Sequence, residues 1–298
     1  MKWERKPGTS PEAPAESPLI HAMSGKVHSG PGNDNPAPMP PGEVSVAQFR
    51  FYEELNDFLP AVRRKTDFTH TFTRRASVKD MIESFGVPHT EVELIIVNGR
   101  SVDFSHIVMD RDRISVYPMF ESLDIRPLLR LRPKPLRRPA FVLDTQLGRL
   151  ARYLRLLGFD TLYRNDYSDD GIARLSSEQR RTLLTRDRML LHRSIITRGY
   201  FVRGTDPLQQ VNEVLQRFDL YNDIKPLNRC IRCNGTLADV DKAAVIDRLE
   251  PKTKRYYNDF RICQDCGQVY WEGSHFRKMV GLIDSFRKKH DHTDPAQT

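Results

Sequence analysis

The stretch that decides the fold opens with Phe141-Val142-Leu143-Asp144 and continues through Leu147-Gly148-Arg149-Leu150-Ala151-Arg152-Tyr153-Leu154-Arg155. It closes with Thr182-Leu183-Leu184-Thr185-Arg186-Asp187. The first apolar run is a short strand ending on an acid. Leu147, Leu150, Ala151, Leu154 and Leu157 follow at helical spacing. Asp160 to Tyr163 reads as a second strand, and Thr182 to Thr185 as a third that again ends on an acid, Asp187. Strands alternating with helices imply a parallel sheet covered on both faces. Acids at the carboxyl ends of neighbouring parallel strands converge on the edge where open α/β sheets take their ligands. Carboxylates gathered there repel one another unless a divalent cation lies among them. The expected occupant is Mg²⁺ or Mn²⁺.

The candidate ligands are Asp144, Asp187, and one of Asp169 and Asp170. Asp144 could equally cap the helix after it, and one of Asp169 and Asp170 is expected to cap the next helix. Thr185 is placed to hydrogen-bond an aspartate or a metal-bound water, or simply to pack. Arg149, Arg152 and Arg155 recur every three residues opposite the leucines. The plain reading of such a stripe is a solvated face; beside an acidic edge it could also track a phosphate backbone. Arg186 and Arg188 flank the third acid and could neutralise charge on a phosphate.

Working outward, the sheet continues through Gly199 to Arg203, after a turn or two of helix from Met189 to Ile195. Asp206-Pro207 then opens a helix with Leu208, Val211, Val214 and Leu215 on one face. This central α/β domain spans residues 139–222. Beyond it, over 223–282, all four cysteines fall in two Cys-x-x-Cys pairs, Cys230/Cys233 and Cys263/Cys266. Two such knuckles offer four thiolates, for which structural Zn²⁺ is the favoured occupant and a redox dithiol or disulfide the alternative. The spacer of about 29 residues is long for a zinc ribbon, so an inserted hairpin is expected. His275 is expected to pack or to contact RNA rather than to bind the metal. Tyr270, Trp271 and Phe276, among basic residues, either cover the ribbon's small core or stack on unpaired bases.

Ahead of the α/β domain, residues 43–120 read as a small α+β unit. Strands are expected at Val46–Phe51, Asp67–Phe72, Glu93–Val97 and Ile114–Tyr117, with a helix from Val78 to Phe85 capped by Ser77 and stopped at Gly86. Asn98-Gly99 is a strong hairpin signal. The order resembles a β-grasp domain of the ubiquitin or sulfur-carrier kind. Sulfur carriers end in Gly-Gly, whereas this chain runs on through Pro118-Met119-Phe120-Glu121, so docking or scaffolding is the expected role. Residues 1–42, rich in Pro, Gly, Ser and Ala, read as a disordered arm. Residues 121–138 read as a basic linker that could also strap a phosphate backbone, and 283–298 as a flexible tail.

The 298 residues carry a formal net charge of +8, which favours a polyanionic partner, nucleic acid before membrane. No run of about 18 apolar residues and no apolar signal core is present. A soluble, cytoplasmic protein is expected.

Taken together, Asp144 through Thr161, Leu183-Leu184-Thr185-Arg186-Asp187, Arg229-Cys230-x-x-Cys233-Asn234 and Cys263-x-x-Cys266-Gly267-x-x-Tyr270-Trp271 resemble the Mut7-C RNase domain family, a PIN-like nuclease module. Bacterial members often carry a ubiquitin-like domain in front. The resemblance implies a metal-dependent RNase using Asp144, Asp169 or Asp170, and Asp187. Where many members have two acids followed by leucines, this chain has Asp169-Asp170-Gly171-Ile172. The alternatives are a non-catalytic RNA- or ribosome-binding adaptor on the same fold, and a protein that docks partners through its β-grasp surface.

Overall fold

The structure, a computed structural model, describes residues 44–118, 131, 140–274, 276–278 and 280–281. The sequence-predicted arm, basic linker, C-terminal tail and His275 lie outside the described residues, apart from Leu131 of the linker. Among the described residues no helix is long and apolar enough to cross a membrane.

The leading unit is a five-stranded mixed sheet in the order β2-β1-β5-β3-β4. Its strands are β1 (Ser45–Phe51), β2 (Phe68–Phe72), β3 (Leu94–Val97), β4 (Arg100–Val102) and β5 (Arg113–Tyr117). Every second residue of β1 is buried, as a sheet with one covered face requires. The covering helix α1 (Val78–Ser84) is capped by Ser77, whose hydroxyl oxygen accepts from the Asp80 amide. Asn98 and Gly99 both adopt positive φ, giving the tight β3–β4 hairpin. The β4 strand was not anticipated as a separate element. Nor were the short 3-10 turns at Glu53–Phe58 and Ala61–Arg63, which fill the β1–β2 connection.

The central unit is a four-stranded sheet of β6 (Phe141–Leu143), β7 (Thr161–Leu162), β8 (Thr182–Thr185) and β9 (Gly199–Phe201). It has the order β7-β6-β8-β9, and every pairing is parallel. Alternation along the strands divides the core. Phe141, Leu143 and Leu184 pack with α2 (Gly148–Leu156) and α5 (Pro207–Arg217). Val142 and Leu183 face the other way, against α3 (Asp169–Glu178) and α4 (Arg188–Leu191). The chain leaves β6 for β7 on one side and returns to β8 on the other. The switch point of the sheet therefore lies between β6 and β8, where open α/β folds bind ligands.

The third unit is an antiparallel sheet, β10 (Leu237–Val240), β11 (Phe260–Cys263) and β12 (Val269–Tyr270). The long spacer between cysteine pairs is not a simple inserted hairpin. Between β10 and β11 it folds into two short helices, α6 (Lys242–Val245) and α7 (Pro251–Tyr256), which put Val245 and Leu249 on the small core with Phe260 and Val269.

Polar side chains join the three units. Glu91 of the leading unit accepts a short hydrogen bond from the Phe201 amide of the outermost strand β9. His89 sits between Glu83 (2.6 Å) and the Ile196 carbonyl (2.8 Å). Arg203 reaches Asp57 at 2.7 Å and its guanidinium lies over the Phe58 ring. On the other flank, Gly158 has φ +95°, and a Cβ there would come within 2.1 Å of the Lys225 carbonyl oxygen. Only glycine allows the end of α2 to meet the chain entering the third unit.

Candidate active site and metal centre

Asp144 ends β6 at the switch point and is buried, 6% exposed. One carboxylate oxygen accepts from the Thr145 amide (2.6 Å), and the other accepts from the Thr185 hydroxyl at the end of β8 (2.7 Å). Thr185 Oγ1 in turn accepts from the Asp187 amide at 2.9 Å. One hydroxyl thus ties together the ends of two adjacent strands and both strand-end acids. Asp144 caps the 3-10 turn Thr145–Leu147, and Asp187 caps α4 by accepting from Met189 N at 2.8 Å. Asp144 is therefore a cap, in line with one of its two readings, and at the same time lies at the sheet edge that the metal-ligand reading requires. The turn after Asp144 is held from outside by Tyr163, whose hydroxyl donates to the Thr145 carbonyl at 3.0 Å. Its ring lies on Gly148, where a Cβ would stand 2.5 Å from the Tyr163 oxygen.

Asp169 and Asp170 occupy the first turn of α3, but neither caps it. The cap is Ser168, whose hydroxyl accepts from the Gly171 amide. A serine already stands one residue ahead, and its oxygen reaches that amide while the two aspartates lie inside the helix. Asp170 makes a short ion pair with Arg193, which holds its carboxyl below the usual carboxylate range. Arg193 also feels Asp169 and Asp187. Sequence reasoning missed this arginine; it lies beyond the recognisable motif in an irregular segment after α4. Among the described residues, the carboxylates do not close into a group of three converging ligands.

The basic residues part company. Arg149 and Arg152 are exposed on α2, and neither has a hydrogen-bond or ion-pair partner among the described residues. Arg188 is exposed and its guanidinium lies over Phe58 and Phe201. Arg186 donates to the Gly204 carbonyl at 2.6 Å. Arg155 corrects its expectation as a phosphate contact: it is 4% exposed. It donates to the carbonyls of Thr161 (2.8 Å), Tyr163 (3.3 Å), Ile231 (3.2 Å) and Arg232 (3.0 Å). Its guanidinium ties β7 to the first cysteine knuckle. Asp160 does the same from its own side, pairing with Arg181 at 2.7 Å and Arg229 at 3.4 Å and accepting from Asn234 at 2.8 Å.

The four cysteines come together as read. Their sulfurs lie within 4.8 Å of one another, with Cys230–Cys266 at 3.6 Å and Cys233–Cys263 at 3.4 Å. A tetrahedron with metal–sulfur bonds of roughly 2.3 Å has edges of about 3.8 Å, so the cluster can hold a metal ion such as zinc. The thiols are all free of disulfides. Burial raises Cys230, but hydrogen bonds from the Tyr270 hydroxyl and nearby backbone outweigh it and bring the thiol down to about 7. Burial and the neighbouring thiols push Cys233 up to about 12. A cation at the centre would relieve that conflict by favouring all four thiolates.

Two family models match this chain. The Mut7-C RNAse domain covers residues 139–283, and the Mut7-C ubiquitin domain covers 44–124. The chain belongs to the Mut7-C family. The ubiquitin-like match falls on the five-stranded leading sheet, and the Mut7-C match spans the parallel sheet together with the cysteine cluster. This agrees with the resemblance read from the strand-end acids and paired cysteines. No curated protein and no solved structure matches the chain.

Proposed function

We propose that this Mut7-C protein is a divalent-metal-dependent ribonuclease that hydrolyses RNA phosphodiesters at the notch between β6 and β8. The observation that carries the reading is Asp144. A carboxylate this buried is ordinarily paired with a cation or bound to a metal. Asp144 has only the neutral donors Thr145 and Thr185, and no ion pair among the described residues. Oxygen donors suit a hard cation, Mg²⁺ or Mn²⁺, which Asp144 would hold with Asp187 and one of Asp169 and Asp170, although these acids do not converge as a group of three among the described residues. When bound, such an ion supplies the positive charge that polarises a phosphoryl oxygen and activates water. The chain's own residues orient and neutralise: Thr185 fixes Asp144 and the start of the Asp187 turn, and Arg186 and Arg188, which flank Asp187 in sequence, would supply positive charge to a phosphate by leaving the Gly204 carbonyl and the Phe58 and Phe201 rings they now meet. The four cysteines hold a structural zinc that fastens the ribbon. The remaining surface of the ubiquitin-like unit is free to dock a protein partner.

A second reading has one observation in its favour. Arg193 already neutralises Asp170 and lies near Asp169 and Asp187, which suits an RNA-binding adaptor that no longer needs a metal. Cleavage of labelled single-stranded RNA with added Mn²⁺, by wild type and Asp144→Asn, separates the two. The nuclease reading expects cleavage that the substitution abolishes. Binding with no Mn²⁺-dependent cleavage supports the adaptor.

A further inference from the structure

Helix α2 and the cysteine ribbon enclose a cleft of about 850 Å³, well separated in character from the acidic notch. One wall carries Arg149 and Arg152; the other carries Tyr257, Tyr270, Trp271 and Phe276. Pockets of this size hold ordinary ligands, but the lining narrows the class. Two exposed guanidiniums without partners among the described residues offer countercharge to an anion. Aromatic rings opposite them offer flat, apolar faces: Tyr257 and Trp271, tilted by 50° at 6.5 Å, pack against the ribbon's small core but are only half-buried and line the cleft. Phosphate and planar base side by side satisfy both walls.

We infer that this cleft binds unpaired nucleotides of an RNA strand, with phosphates on Arg149 and Arg152 and bases against the ribbon's aromatic rings. The inference rests on the ribonuclease reading for its substrate class but concerns a different site. Arg149 lies five residues after Asp144, on the order of 8 Å along the helical segment. Asp206, at the start of α5 beyond β9, also lines the cleft. A strand held there would lead toward the sheet edge that carries Asp144. The cation pair requires the exposed side of α2, which Arg155 leaves by turning inward to the knuckle carbonyls. The ribbon thereby supplies half of a binding surface as well as closing the fold. Duplex RNA has its bases stacked within the helix and cannot offer them to these rings, so the cleft selects single strands.

The test uses the full zinc-loaded chain and fluorescein-labelled hexanucleotide RNA, alone or annealed to its complement, in buffer without Mg²⁺ or Mn²⁺. Single strands should bind at least tenfold tighter than duplex. Arg149→Glu/Arg152→Glu should weaken single-strand binding at least tenfold. Tyr257→Ala should weaken it about fivefold or more, while Tyr257→Phe binds as wild type; unchanged zinc content shows that the ribbon is intact in each. Equal affinity for duplex and single strand, with Tyr257→Ala unaffected, would overturn the inference by reducing the arginines to a general basic surface. Wild type that binds no single strand would also overturn it and point to an acidic peptide as the occupant. Mn²⁺-dependent cleavage distinguishes the two readings. If Asp144→Asn abolishes cleavage but the cleft variants bind normally, the cleft fails and the nuclease stands. If the cleft variants lose binding but no Asp144-dependent cleavage occurs, the cleft stands and the nuclease fails.

Discussion

The Thr185 hydroxyl donates to the Asp144 carboxylate at 2.7 Å across the junction of β8 and β6, and accepts the Asp187 amide at 2.9 Å. A single oxygen therefore sets the position of two acids that are 43 residues apart in sequence. Thr185→Val keeps the shape and removes both bonds. The expected cost is about 1–3 kcal/mol in urea unfolding, with Mn²⁺-dependent RNA cleavage reduced more than tenfold. Thr185→Ser, which retains the hydroxyl, should keep most of the activity. Equal cleavage by the valine and serine variants would show that this bridge does not organise the site.

Arg155 and Arg149 lie on the same helix and should behave as opposites. Arg155→Leu strips donors from four carbonyls in the seam between β7 and the first knuckle, and should destabilise the chain by roughly 3 kcal/mol. Arg149 is exposed on the cleft and has no hydrogen-bond or ion-pair partner among the described residues, so Arg149→Ala should fall within about 0.5 kcal/mol of wild type. Urea denaturation of the two variants decides it.

Zinc should be present at one ion per chain, released stoichiometrically when the thiols are titrated with a mercurial. Cys233→Ser should abolish that stoichiometry and lower the melting temperature, because metal affinity in such clusters is folding free energy. A ribbon that melts normally with no metal bound would contradict the assignment.

Glu91 gives a pH dependence with a definite sign. Burial raises its carboxyl from 4.5 to about 7, outweighing the pull of Arg217 and Arg203. Between those values the folded chain holds a proton that the unfolded chain has lost, so stability declines as pH rises from below 4.5 through about 7. The decline is on the order of 3 kcal/mol at most. Glu91→Gln lacks this slope while keeping an acceptor for the Phe201 amide. The stability of the variant relative to wild type should thus grow between pH 5 and pH 8. A constant difference across that range would place the proton elsewhere.

Much of this architecture is legible in the sequence. Val142 and Leu143 face opposite sides of the sheet as alternation requires, Asn98-Gly99 makes its hairpin, and the cysteine spacing brings four sulfurs together. What failed to show in the sequence depends on chain segments far apart. The three arginines on α2 recur at every third residue, whereas a helix turns once in 3.6. Each step therefore drifts by about 60°, and two steps carry Arg155 from the solvent side toward the seam. Periodicity could have flagged that drift, but not the knuckle carbonyls that receive the charge. Asp160 looked like the first residue of a strand because its partners, Arg181, Arg229 and Asn234, come from two other parts of the chain. Arg193 was invisible for the same reason. Ser168 could have been read as the cap, since serine preceding two acids is a familiar helix start.

The hydrogen bond from Phe201 to Glu91 has a consequence for how the molecule behaves in company. The parallel sheet ends at β9, and an uncovered last strand is a template on which another molecule's backbone can continue the ladder. The side chain of Glu91, with His89 and Thr90 beside it, stands where that intruder would add. Removing residues 44–118 should therefore yield a protein that self-associates, even though its remaining sheet and ribbon are unaltered in sequence. Self-association of that shortened chain, measured by light scattering, would mark the leading unit as a guard for the β9 edge; a monomer would show that the edge needs none.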